Sequence, residues 1–166
     1  MLRLYLATDR VGEMARVDPV TDERTSLYER DFYLWLERQA ELLREGRLTE
    51  LDVANLLEEI ESMGRKDKKA IQSNLVVVLA HLLKYQFQPK RRSNSWRGSI
   101  VEHRRRLRDD LVESPSLRGH AAAAFAQSYA DAREQASAET GLPVETFPEQ
   151  CPYTLEQALH PRFLPE

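Results

Sequence analysis

The chain has 166 residues, 42% of them hydrophobic, which is enough for one domain with a single core, and 31% charged, for a net charge of -3. Cys151 is the only cysteine, so an intramolecular disulfide is excluded and a reducing, cytoplasmic setting is expected. No apolar run approaches the ~20 residues of a membrane span, and Asp9 and Arg10 interrupt the apolar start too soon for a signal peptide, so no membrane partner is expected.

Abundant Ala, Leu, Glu and Arg, with little Gly, favour helices, and strand signals are nearly absent. Residues 1–25 lack a long period and read as a loosely ordered extension; a single domain is expected over 26–166. The first helix is expected from Leu27 to Glu45, ending at Gly46, with Tyr28, Phe32, Trp35, Leu36, Leu42 and Leu43 on one apolar face. A second should run from Asp52 to Gly64, burying Val53, Leu56, Leu57, Ile60 and Met63, with Glu59 and Glu61 on the flanks.

The third helix, Asp67 to Gln88, is apolar around most of its circumference from Ile71 to Phe87, the mark of a central helix, and Pro89 ends it. The fourth is capped by Ser93 or Ser95 and runs to Glu113, with Trp96, Ile100, His103, Leu107 and Leu111 on its inner stripe. Ser114 and Pro115 signal the start of a fifth, Ala-rich helix that ends at Gly141. Five prolines follow in a tail that carries a short helix, Thr154 to His160, and wraps the bundle through Phe147, Tyr153, Leu155 and Phe163. The fold class is therefore all-α, a bundle of about five helices with a Pro-rich C-terminal tail.

Three stretches resemble a bacterial family known only as domain of unknown function 29. They are Leu27 to Leu36 leading into Leu56 to Arg65, then Ala80 to Trp96, then Gly141 to Pro143 with Thr146 to Thr154. The resemblance spans about 26–166. It implies a helical bundle and no established activity.

Charge is segregated. Residues 84–108 hold nine Lys or Arg against one acid, Glu102, a local charge of +8, while acids outnumber bases by 11 elsewhere. Such a segment suggests an anionic partner, nucleic acid or an acidic protein, or else an internal clamp onto acidic helices. Within it Lys90, Arg91, Arg92, Trp96 and Arg97 interleave cations with a ring, as a phosphate-and-base surface would. The alternative leaves Trp96 in the core and the arginines as a solvated rim.

One polar seam crosses the third helix. Asn74, His81 and Gln88 are spaced by seven with Lys84 beside them, so they share a line on an otherwise apolar surface. As an active site, His81 and Lys84 would face Glu59, Glu61 or Glu102; as a structural feature, the seam is a solvent edge or a satisfied network. Arg97 and His103 also fit the Arg-x5-His spacing of small helical ribonucleases, although His103 falls on the apolar face. No metal motif, phosphate loop or nucleophile elbow is present, so no metal or cofactor is expected. Three functions stay open: a non-enzymatic binding or adaptor module using Lys90 to Arg97, a small hydrolase or ribonuclease built on His81, Lys84 and the glutamates, and a purely structural or protein–protein interaction domain.

Overall fold

The computed structural model describes residues 27–166, and the expected extension over 1–25 lies outside them. The chain divides into two compact units between Glu59 and Ile60. Every regular element among the described residues is helical, so the molecule is an all-α helical bundle.

The first unit opens with a helical turn over 27–30 and then α1, Phe32–Arg44. The expected single helix from Leu27 breaks at Asp31, whose carboxylate accepts the Leu34 amide at 3.0 Å and caps a new start. Gly46 ends the segment as expected, at φ 71° in the left-handed region. Trp35 is fully buried, edge-on to Tyr28 at 4.9 Å, and its indole N–H donates to Asp52 at 3.2 Å. Of the expected apolar face only Trp35 and Leu42 are buried; Phe32, Leu36 and Leu43 are exposed.

α2 spans Val53–Phe87, a continuous helix of 35 residues where two were expected. Gly64 does not end it and keeps an ordinary negative φ. A helix-interior glycine costs only ~1 kcal/mol relative to alanine, and the good helix formers after it carry the turn onward, with Arg65 reaching back to Glu61 at 3.4 Å. The stripe expected to be buried here is not: Val53, Leu57, Ile60 and Met63 are all exposed.

In the second unit, the later half of α2 is the core helix that its apolar circumference predicts, with Ile71, Leu75, Val78, Leu79, Leu82 and Leu83 fully buried. A single 3-10 turn, Pro89–Arg91, leads into α3, Asn94–Glu113, capped by Ser93 through the Trp96 amide at 3.4 Å. α4, Leu117–Thr140, starts just after the expected Ser114–Pro115 signal and ends at Gly141, φ 71°. Its small residues Ala121, Ala132 and Ala136 are fully buried. The tail packs on this core as expected: Phe147 stands edge-on to Phe87, the Tyr129 hydroxyl donates to the Pro148 carbonyl at 2.6 Å, and the Tyr153 hydroxyl donates to Gln86 at 2.6 Å. α5, Leu155–Leu159, is started by a reciprocal capping box between Thr154 and Gln157. No helix among the described residues is long and apolar enough to cross a membrane.

Candidate functional site

The seam on α2 becomes a chain of engaged groups. Asn74 donates its side-chain N–H to the Ala70 carbonyl at 2.9 Å, which turns its oxygen outward to meet His103 Nδ1 at 2.7 Å. That oxygen only accepts, so His103 carries its proton on Nδ1. His81 pairs Nδ1 with the Val77 carbonyl at 2.9 Å, which fixes the same tautomer. Burial lowers both histidine pKa values, helped by Lys84 at His81 and by Arg106 at His103, so both rings stay neutral with a bare Nε2.

Lys84 is 5% exposed and closes an ion pair with Glu139 of α4, while its ammonium also sits 4.8 Å from the Trp96 ring centre. Burial alone would raise the Glu139 pKa, but hydrogen bonds from Lys84 and Gln135 outweigh it and hold the carboxyl below its usual value. Glu139 is the carboxylate of this cluster, and it was not among the acids expected from the sequence.

The expected acids are occupied elsewhere. Glu59 accepts from the Tyr28 hydroxyl at 2.5 Å within the first unit, a bond that pushes the phenol up to about 12. Glu61 pairs only with exposed Arg65. Glu102 is pulled down to about 2 by hydrogen bonds from Arg105 and Arg106, both at 2.9 Å. No carboxylate lies within hydrogen-bond distance of His81 among the described residues, and none of His, Cys, Asp and Glu converge there in threes as a metal would need.

The basic segment separates into two parts. Lys90, Arg91, Arg92 and Arg97 are exposed and none makes an ion pair among the described residues. Arg92 donates to the Tyr85 carbonyl at 2.8 Å and lies 4.3 Å over the Tyr85 ring, so it is oriented without being neutralised. Trp96 is half-buried, with one ring face against the buried Lys84 ammonium. Further along α3, Arg105 binds Glu102 and Asp109, and Arg106 binds Glu102.

Arg104 turns inward. It is 4% exposed, and it donates to the carbonyls of Ala158 at 2.7 Å, Phe163 at 2.8 Å and Gln157 at 3.4 Å. Ala158 and Gln157 lie in the last turn of α5, whose carbonyls suit a cation, and the Gln157 carbonyl also accepts the His160 amide at 3.2 Å. Burial lowers its pKa to about 10. Helical spacing from Ile100 and Leu107 would have placed this arginine on the inner stripe, the one signal in the sequence that could have found it.

No curated protein and no solved structure matches the chain. A family model does, over residues 27–164, and the three stretches that carried the resemblance fall within it. The chain belongs to the family described as domain of unknown function DUF29.

Proposed function

We propose that the chain is a non-enzymatic binding module whose basic edge, Lys90, Arg91, Arg92 and Arg97, docks an acidic segment of a partner protein. A single observation carries this reading: among the described residues these four cations are exposed without a carboxylate partner, while Arg105 and Arg106 further along α3 have theirs. An unpaired guanidinium is the residue of choice for two-point binding of a carboxylate. A short acidic peptide suits the edge better than a long polyanion, which would run onto the acidic remainder of the surface. Base stacking has less to use, since Trp96 is half-buried with one face against Lys84 and Arg92 lies over the Tyr85 ring.

The hydrolase reading built on His81 and Lys84 has less support, because Lys84 is taken up by Glu139 and His81 lacks a carboxylate to orient it. We also place the protein in a bacterial cytoplasm, a reading supported by the lone thiol of Cys151, which burial keeps protonated, and we retain one domain over 26–166 as a proposal.

The test is fluorescence anisotropy with a labelled oligoglutamate peptide and, separately, a labelled single-stranded oligonucleotide. The peptide should bind, weaken as salt rises, and lose about tenfold or more in affinity in the Arg91→Glu/Arg97→Glu variant. Tight, variant-sensitive binding of the oligonucleotide alone would replace the acidic partner by nucleic acid. Indifference of both probes to the variant would remove the edge as a site.

A further inference from the structure

A cleft in the second unit is lined by residues other than those of the basic edge. It measures about 440 Å³ and lies between α3, the first turn of α4, and α5 with the turn after it. Its apolar surface comes from Val101 and Val112 of α3, 61% and 74% exposed, with Leu111, Leu159 and Pro161 completing the walls. Both valines line the same cleft, so they leave apolar surface there for a ligand to cover.

The polar lining is one-sided. Arg105, Arg108 and Arg118 face the cleft against a single acid, Glu156. Arg118 makes no hydrogen bond or ion pair through its side chain among the described residues, and Arg108 has only its sequence neighbour Asp109, at 3.6 Å. His160 adds a donor. Its Nδ1 accepts the Arg162 amide at 3.2 Å, so in the neutral ring the proton sits on Nε2. An apolar trough edged by unsatisfied donors recognises an apolar tail with one anionic head.

We propose that this cleft binds a free medium- or long-chain carboxylate of the fatty-acid type, the tail lying along Val101, Val112 and Leu159 and the carboxylate taken by Arg118 and Arg108. Its volume is that of a small-molecule site, where clefts run from ~300 to ~1,000 Å³, and its walls come from three separate elements rather than one flat helix face. Charge complementarity sets the head group: an alcohol gives the arginines nothing, and a quaternary amine meets like charge.

Isothermal titration of the full chain, below micelle-forming concentrations, decides it. Decanoate should bind one to one. Decanol should bind at least about tenfold more weakly, and decyltrimethylammonium and butyrate should give no saturable heat. Val112→Asp, on an exposed helix position, should weaken decanoate by about tenfold or more, as should Arg118→Glu, while Arg118→Lys keeps most of the affinity. A circular-dichroism melt confirms that each variant is folded. Arg91→Glu/Arg97→Glu should leave decanoate binding unchanged, which separates this site from the basic edge. The proposal fails if decanol binds as tightly as decanoate, or if Val112→Asp leaves the titration unaltered. It fails equally if decanoate does not bind while an acidic amphipathic peptide, or self-association of the chain, depends on Val112.

Discussion

The two ends of the basic segment hold the same residue types and do opposite things. From Lys90 to Arg97 the cations are exposed and unpaired with acids among the described residues; from Arg104 to Arg106 they are drawn into the protein or paired on its surface. The difference is set by neighbours. Arg105 and Arg106 have Glu102 or Asp109 three or four residues away on the same helix, where side chains meet. No acid lies within four residues of Lys90, Arg91, Arg92 or Arg97. Local charge density therefore overstates a binding surface, and the spacing of the counter-charges corrects it.

The sharpest way to break this contrast is at Arg104, whose charge is used for folding. Arg104→Ala should cost about 3 kcal/mol, because the Ala158 and Phe163 carbonyls lose this donor while remaining near the core, whereas Gln157 keeps the His160 amide. Urea unfolding measures it, and Arg104→Lys should recover part of the loss. Arg133 ties the chain further upstream in the same manner, donating to Phe147 at 3.1 Å and Val144 at 3.4 Å. If Arg104→Ala leaves stability unchanged but abolishes peptide binding, the division between folding and binding cations is wrong.

Lys84 is the next test, since it belongs by sequence to the basic segment and by structure to the core. Glu139→Ala strands its ammonium beside Trp96 and should cost about 2 kcal/mol, less than a fully enclosed pair because Glu139 is partly exposed. Lys84→Met, which keeps the bulk and leaves only a half-exposed carboxylate behind, should cost less. The pair also predicts a pH response. The folded pKa of Glu139 is depressed, so its contribution is complete above the ordinary carboxylate value of 4.5 and is lost as pH falls through the lower folded value. Acid titration of the unfolding free energy should show a shallower loss in Lys84→Met than in the parent chain.

How much of this was legible follows the same line. The all-α class, the central helix from Ile71 to Leu83 and the anchoring of the tail by Phe147 and Tyr153 were readable, because apolar periodicity reports burial directly. The break expected at Gly64 was not found, since glycine signals a stop only where the chain turns to positive φ, as Gly46 and Gly141 do. Gly64→Ala should accordingly stabilise the protein by ~0.5–1 kcal/mol, with open space where the new Cβ would stand; a loss in thermal unfolding would contradict the continuous helix. At the candidate site, the seam residues were readable as a line on one helix. Their partners were not: Glu139 lies 55 residues from Lys84 and His103 lies 29 from Asn74, distances at which only the folded bundle decides who meets whom.

The two histidines give a subtler effect. Both folded pKa values lie below 6.5, so between neutral pH and the mid-acid range the unfolded chain binds more protons than the folded one. Stability therefore rises with pH across this window and falls as the solution is acidified from 7 towards 5. Replacing His81 by Gln should flatten the slope in that interval, and it should also soften the acid limb assigned to Glu139, because the charge on His81 helps to hold that carboxyl down. An unchanged slope in both His81→Gln and His103→Gln would mean that the rings titrate freely.

The smallest effect is the most direct comparison of the two ends. Arg105→Ala removes an exposed arginine that already holds Glu102 and Asp109, and exposed pairs of this kind contribute little to stability. It frees acids rather than a site, so affinity for an oligoglutamate peptide should hold or fall slightly. Arg97→Ala should leave stability within about 0.5 kcal/mol, having no side-chain bond to lose among the described residues, yet weaken the peptide several-fold by removing an exposed charge. Measured together at one ionic strength, the two variants isolate availability from charge, since each removes one arginine from the same helix. Equal losses of affinity would mean that the peptide responds to total charge alone, and the distinction drawn from neighbouring acids would have no functional consequence.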